Sequence, residues 1–200
     1  MPAAQAISAA ARRVPLWLVW GAGLAPVPWL LWQAATGGLG VEPVEALEHR
    51  LGELGLQLLI ASLAVTPLRR HLGVNLLRFR RALGLLAFTY VALHLAVWLA
   101  LDVQTLARAG EDILKRPYIT VGMAAFVLLL PLAATSTDRA VRRLGVRWRQ
   151  LHRLAYPAAV LGGLHYVLLA KGLQLAPLAY LAAILALLVL RLRWPAVRRA

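Results

Sequence analysis

The 200-residue chain carries a formal net charge of +14, a mean hydropathy of +0.70 and no cysteine, and 61% of its residues are apolar. That balance excludes a soluble domain and describes an all-α polytopic membrane bundle, one domain over residues 1–200 with no length left for a second. Disulfides, thiolate catalysis, iron–sulfur clusters and cysteine-bound zinc are excluded too, and basic residues confined to short loops between apolar runs argue for anionic lipid and against nucleic acid.

The N-terminus, MPAAQAISAAARR before an apolar run, has the outline of a signal peptide. The run is too long for an h-region and is followed by no convincing cleavage site, so it reads as an uncleaved first span over Val14–Thr36. Arg12 and Arg13 are ordinary basic residues before such a span rather than a twin-arginine signal. The second span, Leu54–Leu68, has only fifteen residues, so either Glu53 lies at the interface or the helix is short. The third is Ala82–Leu101 and the fourth Pro117–Thr137. The fifth is Leu154–Ala170, with His152 and Arg153 at its edge. The sixth, Gly172–Leu190, follows a tight connection through Lys171. Spans of about 20 residues match a bilayer core.

The loops alternate in charge. The N-terminal tail, the loop with Arg69 to Arg81, the stretch from Arg139 to Arg153 and the C-terminal tail with Arg191, Arg193, Arg198 and Arg199 hold 17 of the 22 basic residues. The positive-inside rule makes that side, and both termini, cytoplasmic. Seven of the eight acids fall on the other side, Asp138 being the exception.

Five histidines are spread through this framework. His94 lies twelve residues past Ala82 and His165 eleven past Leu154, roughly 18 and 17 Å along helices that run in the same direction. Both imidazoles therefore reach one depth. They suit the two axial positions of a haem iron, or else a hydrogen bond between helices or a proton relay. Tyr90, Trp98 and Tyr166 flank the pair, and Gly162-Gly163 allows close approach of a macrocycle or a helix. His152 stands at the cytoplasmic edge, thirteen residues before His165. Its counterparts on span three are Arg80 and Arg81, and His71 reaches it only if its loop folds back. His152 is thus a contact for a haem propionate, a quinone or a flavin, and second choice as an iron ligand. His49, between Glu48 and Arg50, reads as a solvated surface residue. Arg78, Arg80 and Arg81 are first of all topology signals, and at the membrane edge they are also placed to hold haem propionates, a quinone head group or a flavin phosphate. Neither a GxGxxG motif nor a Walker motif is present, so any electrons come from a quinol or a separate reductase.

The runs RFRRALGLLAFTYVALHLAVWL (Arg78–Leu99), KRPYITVGM (Lys115–Met123) and LPLAATSTDRAVRRLGVRWRQLHRLAYPAAVLGGLHYVLLAK (Leu130–Lys171) resemble the MsrQ (YedZ) family, with its ferric reductase-like transmembrane domain. The resemblance implies a bacterial inner-membrane subunit of a methionine sulfoxide reductase system. It implies haem b on His94 and His165, with His152 as the family's third histidine position, and an FMN that no residue here places. Electrons would come from the respiratory quinone pool or a cytoplasmic flavin reductase and go to the periplasmic molybdopterin subunit MsrP, where catalysis resides. Ferric reductase relatives carry two histidines on each of two helices. This chain has one on span three, so a second haem lacks a matching histidine there, and one or two haems both stay open.

The chain is thus expected to be an electron-transfer subunit rather than an enzyme. The alternatives are a stand-alone quinol or ferric reductase of the same fold, and a non-redox transporter with a histidine proton relay.

Overall fold

The computed structural model describes residues 2–170 and 172–191; Lys171 and the tail arginines Arg193, Arg198 and Arg199 lie outside the described residues. Every regular element in that range is helical. Helix α1 (Pro2–Arg13) precedes α2 (Leu16–Leu24) and α3 (Pro26–Ala35). Pro15 caps α2 in an extended conformation and ends α1, because the residue before a proline is driven out of the helical region. The chain turns through 85° there, so the N-terminus is a separate helix that crosses the first apolar run rather than a tail leading into it. Pro26 opens α3 and interrupts the apolar run at its middle.

Helix α4 (Pro43–Leu72) is 30 residues long, twice the apolar run Leu54–Leu68. Charged residues ended that run in the sequence, yet Glu45, Glu48, Arg50 and Glu53 all lie inside the helix. Glu45, Glu48 and Arg50 fall in its first turns and Glu53 meets Tyr180 of α11, while Leu47, Leu51, Leu59 and Leu63 keep a buried stripe at multiples of four residues. Gly73, at φ 72°, closes α4 in the left-handed conformation that glycine adopts without strain.

A 3-10 turn (Leu77–Phe79) leads into α5 (Arg80–Val97), and a π-helical turn (Trp98–Val103) prolongs it. Helix α6 (Leu106–Lys115) is capped by the Thr105 hydroxyl and precedes α7 (Pro117–Ala134). Short α8 (Asp138–Leu144) and α9 (Val146–Leu151) carry the arginine-rich connection to α10 (Ala155–Leu169) and α11 (Leu175–Val189). His152 is not on α10 but on a 3-10 turn before it. Pro157 has no N–H to bond back to Arg153, so the α-helix begins only two residues ahead of it, in the first turn where that group is not needed.

Among the described residues three helical stretches are long and apolar enough to cross a membrane: Pro43–Leu72, Leu77–Val103 and Pro117–Ala134. The bent N-terminal pair makes a fourth if counted as one span, while α10 and α11 are apolar but have 15 residues each. Helix α4 packs mainly on α5, and α10 on α7 and α11. One core joins five helices through Leu59 and Leu63 of α4, Ala87 of α5, Leu129 of α7, Ala159 of α10 and Ile184 of α11. Ala87 and Ala159 are fully buried, and their small side chains let the backbones come close.

The two ends of the bundle differ in charge. At the arginine-rich end, Arg78 donates to the carbonyls of Ala11 and Arg12, satisfying the open C-terminus of α1, and Ser8 accepts from the Asn75 N–H at 3.0 Å. Arg81 pairs with Asp138 at 2.6 Å and holds that carboxyl below the usual carboxylate range. Nearer the other end, Tyr90 is buried and donates to the Gly23 carbonyl at 2.7 Å, tying α5 to α2. Tyr90→Phe removes that donor and should cost about 0.5–1 kcal/mol in detergent unfolding.

Candidate functional site: a cavity with two facing histidines

A cavity of about 570 Å³ opens between α4, α5, α7 and α10 toward the acid-rich end of the bundle. Its floor is apolar, from Leu56, Val91, Phe126 and Leu129, and its rim carries Glu42, Glu45, Glu48, His49, Asp102 and Arg116. His94 of α5 and His165 of α10 line it together. The two rings that spacing places at one depth do meet: their centroids are 6.2 Å apart, with planes at 71°.

Each ring is held from behind by a backbone carbonyl. His94 Nδ1 lies 2.9 Å from the Glu48 oxygen, and His165 Nδ1 lies 2.7 Å from the Tyr118 oxygen. A carbonyl only accepts, so each imidazole carries its proton on Nδ1 and keeps Nε2 as a free base. This is the tautomer and tether of a metal-binding histidine.

Two glycines make room for the rings. A Cβ on Gly122 would sit 2.8 Å from His165 Nδ1, and one on Gly52 would sit 3.1 Å from His94 Nδ1. At both positions the ring occupies the space that a side chain would take. The π-helical turn adds Trp98 and Asp102 to the wall, an inserted residue of the kind that often accompanies functional sites. None of these four was singled out for the site from the sequence beyond Trp98 as a flanking aromatic; glycine clearance and a π-turn leave no periodic signal.

Two metal bonds of about 2 Å, with a ring radius added at each end, span roughly 6 Å from centroid to centroid. The 6.2 Å between the His94 and His165 centroids matches that span. No group of three or more metal-ligating side chains occurs among the described residues. A bare ion would have too few ligands, so the pair suits a metal that brings its own equatorial donors.

The remaining expected site residues lie elsewhere. His152 is at the arginine-rich end, stacked on Trp148 at 3.8 Å with Nε2 3.1 Å from the Thr135 hydroxyl. His71 does not turn to it: its Nε2 is 3.1 Å from the Leu190 carbonyl. Arg78 and Arg81 hold α1 and Asp138 as described. Arg80 is half-buried, within electrostatic reach of His152, Tyr156 and Arg191. Arg191 in turn donates to the Tyr156 hydroxyl at 3.0 Å and to the Leu63 carbonyl. His49 is exposed, on the cavity rim.

The class of protein is a ferric reductase-like membrane component: residues 51–163, more than half of the chain, match the family described as ferric reductase like transmembrane component. A protein of Agrobacterium fabrum named protein-methionine-sulfoxide reductase heme-binding subunit MsrQ is 47% identical over 183 residues, 91% of this chain and 85% of that one. Proteins of the same name from Brucella ovis and Brucella canis are 44% identical over 184 residues, 92% of this chain and 84% of theirs. The chain belongs to the MsrQ family of ferric reductase-like membrane proteins. No solved structure matches it.

Proposed function

We propose that the chain is a b-type membrane cytochrome that takes electrons from the respiratory quinone pool, or from a flavin reductase, and passes them to the periplasmic molybdoenzyme MsrP. The observation that carries this reading is the facing pair His94 and His165, each tethered through Nδ1 to a carbonyl across a cavity large enough for a flat cofactor. The relatives' printed name, heme-binding subunit, supports the same group. Haem, an iron porphyrin that brings most of its own donors, would supply a one-electron iron couple when bound. His94 and His165 would hold its iron. Gly52 and Gly122 keep their rings in place, and the apolar floor excludes water and so tunes the potential.

In this reading six spans cross the membrane, with α10 and α11 as the short fifth and sixth. The arginine-rich end is cytoplasmic and the acid-rich end periplasmic. The cavity then opens toward the periplasmic partner. Methionine sulfoxide is reduced in that partner, and this chain supplies the electrons. The flavin, if used, comes to the arginine-rich end, where Arg80 and His152 lie.

The test is reconstitution of the haem-loaded chain in vesicles with a quinol, MsrP outside and a methionine sulfoxide substrate. Haem reduced by the quinol and reoxidised only when both MsrP and sulfoxide are present is the expected result. Reoxidation at the same rate without MsrP would favour the stand-alone reductase. His152→Ala is expected to leave most of the haem spectrum, because the histidine bonds Thr135 and has no histidine facing it.

A further inference from the structure

Gln57 stands at the middle of α4, the 30-residue helix that is long and apolar enough to span a membrane, and it is exposed. An amide on the flank of a spanning helix is costly to leave unpaired in hydrocarbon, so what it bonds to is informative. Gln57 Nε2 donates to the Tyr180 hydroxyl of α11 at 2.6 Å, and that hydroxyl donates to Glu53 Oε1 at 2.9 Å. Glu53 lines the two-histidine cavity. So does Tyr166, whose ring lies 5.8 Å from that of Tyr180. Arg50 adjoins the second Glu53 oxygen at 3.9 Å. A polar chain thus runs from the exposed flank of α4 and α11 to the wall of the cavity.

We propose that Gln57, Tyr180 and Glu53 form the head-group site of a lipid-dissolved hydroquinone that enters between α4 and α11. The proposal rests on the electron-carrier reading above and gives the donor a place. A hydroquinone hydroxyl needs an acceptor and a donor in one spot, and the Glu53 carboxylate and Gln57 amide supply both. The exposed flank lets the ligand arrive from the bilayer without crossing the protein. At the arginine-rich end Arg78 and Arg81 are taken up by α1 and Asp138, which leaves Arg80 and His152 as the competing site that the labelling below tests.

Oxidation of one hydroquinone to quinone breaks two O–H bonds and releases two electrons and two protons. The two electrons would be taken up one at a time by the group that His94 and His165 hold in the reading above, the first passing on to the partner before the second arrives. The protons pass one at a time to the Glu53 carboxylate and from there to water at the acid-rich end. A merely structural role, gluing α4 to α11, would use the same hydrogen bonds but would give no labelling by a quinone and no effect on its KM.

The experiment uses the full chain in nanodiscs. An azido-substituted short-chain benzoquinone is photolysed in its presence, labelled peptides are mapped by mass spectrometry, and decylubiquinol reduction is followed by stopped flow. Label is expected on peptides of α4 and α11. Gln57→Leu and Tyr180→Phe should each lower it and raise the apparent KM for decylubiquinol about tenfold, the effect of one lost hydrogen bond. Haem per chain and reduction by dithionite should stay as in the unsubstituted protein. Label confined to the arginine-rich end, or labelling and KM unchanged in both variants, would overturn the site. Labelling does not depend on haem, so a haem-free chain would overturn the carrier reading, whereas a haem-loaded chain indifferent to both substitutions overturns only this one.

Discussion

His165→Ala is expected to abolish the six-coordinate, low-spin haem spectrum, and His94→Ala to do the same. Each removes one of two axial bases and nothing nearby replaces it: among the described residues no third metal-ligating side chain stands with the pair. Altering partners that merely orient a ligand already costs about 10–100-fold in metal affinity, so loss of the ligand itself should cost more than about 100-fold. Haem per chain, measured after purification, should fall below about a tenth of the unsubstituted level. The bundle itself should persist, since the five-helix core of Leu59, Leu63, Ala87, Leu129, Ala159 and Ile184 does not include either ring. Full haem retention in both variants would sink the ligand assignment.

The second large effect concerns a residue with no side chain. In Gly122→Ala the new methyl would lie 2.8 Å from His165 Nδ1 and 3.0 Å from Cε1, closer than such atoms approach. The ring has to move, and its 2.7 Å bond to the Tyr118 carbonyl breaks or stretches. Haem affinity is expected to fall about 10–100-fold, the range seen when the partner that orients a ligand is lost. Gly52→Ala should do less, because 3.1 Å to His94 Nδ1 asks for a shift of only a few tenths of an ångström. Helical content should hold in both, as alanine is favoured over glycine by about 1 kcal/mol inside a helix. Haem titration of the two variants, read beside circular dichroism, checks both the ranking and its cause. Equal haem binding in Gly122→Ala and the unsubstituted protein would mean that the ring does not need its present position.

What the sequence made legible was whatever could be counted along a helix. The depths of His94 and His165 follow from a rise per residue, and the rings do face each other at 6.2 Å. The separation of arginines from acids likewise appears as two differently charged ends. The ends of helices were harder to read. Glu45, Glu48, Arg50 and Glu53 mark where apolar sequence stops, but a helix can run on into polar surroundings, and α4 does. Pro15 turns the N-terminal segment into its own helix, and Pro157 leaves His152 on a 3-10 turn rather than on α10. Both effects are local consequences of a proline that can be stated beforehand, while the 85° bend cannot.

The parts of the site that escaped sequence reading are backbone and empty space. The Glu48 and Tyr118 carbonyls that fix the two tautomers belong to residues whose side chains gave no hint of it. Gly52 and Gly122 matter through atoms they lack. The Gln57–Tyr180–Glu53 chain joins residues more than 120 positions apart, and only the packing of α11 on α4 brings them together. In the sequence Glu53 marks only where the second span begins.

The most direct test of the central claim is a reduced-minus-oxidised absorption spectrum of the detergent-purified chain, with haem and protein quantified on the same sample. A six-coordinate b-type spectrum at one haem per chain is the predicted result, since one pair of tethered imidazoles faces a cavity and His152 and His71 are bonded elsewhere. A chain purified without haem from haem-replete cells, or one whose haem survives the loss of both His94 and His165, would contradict it.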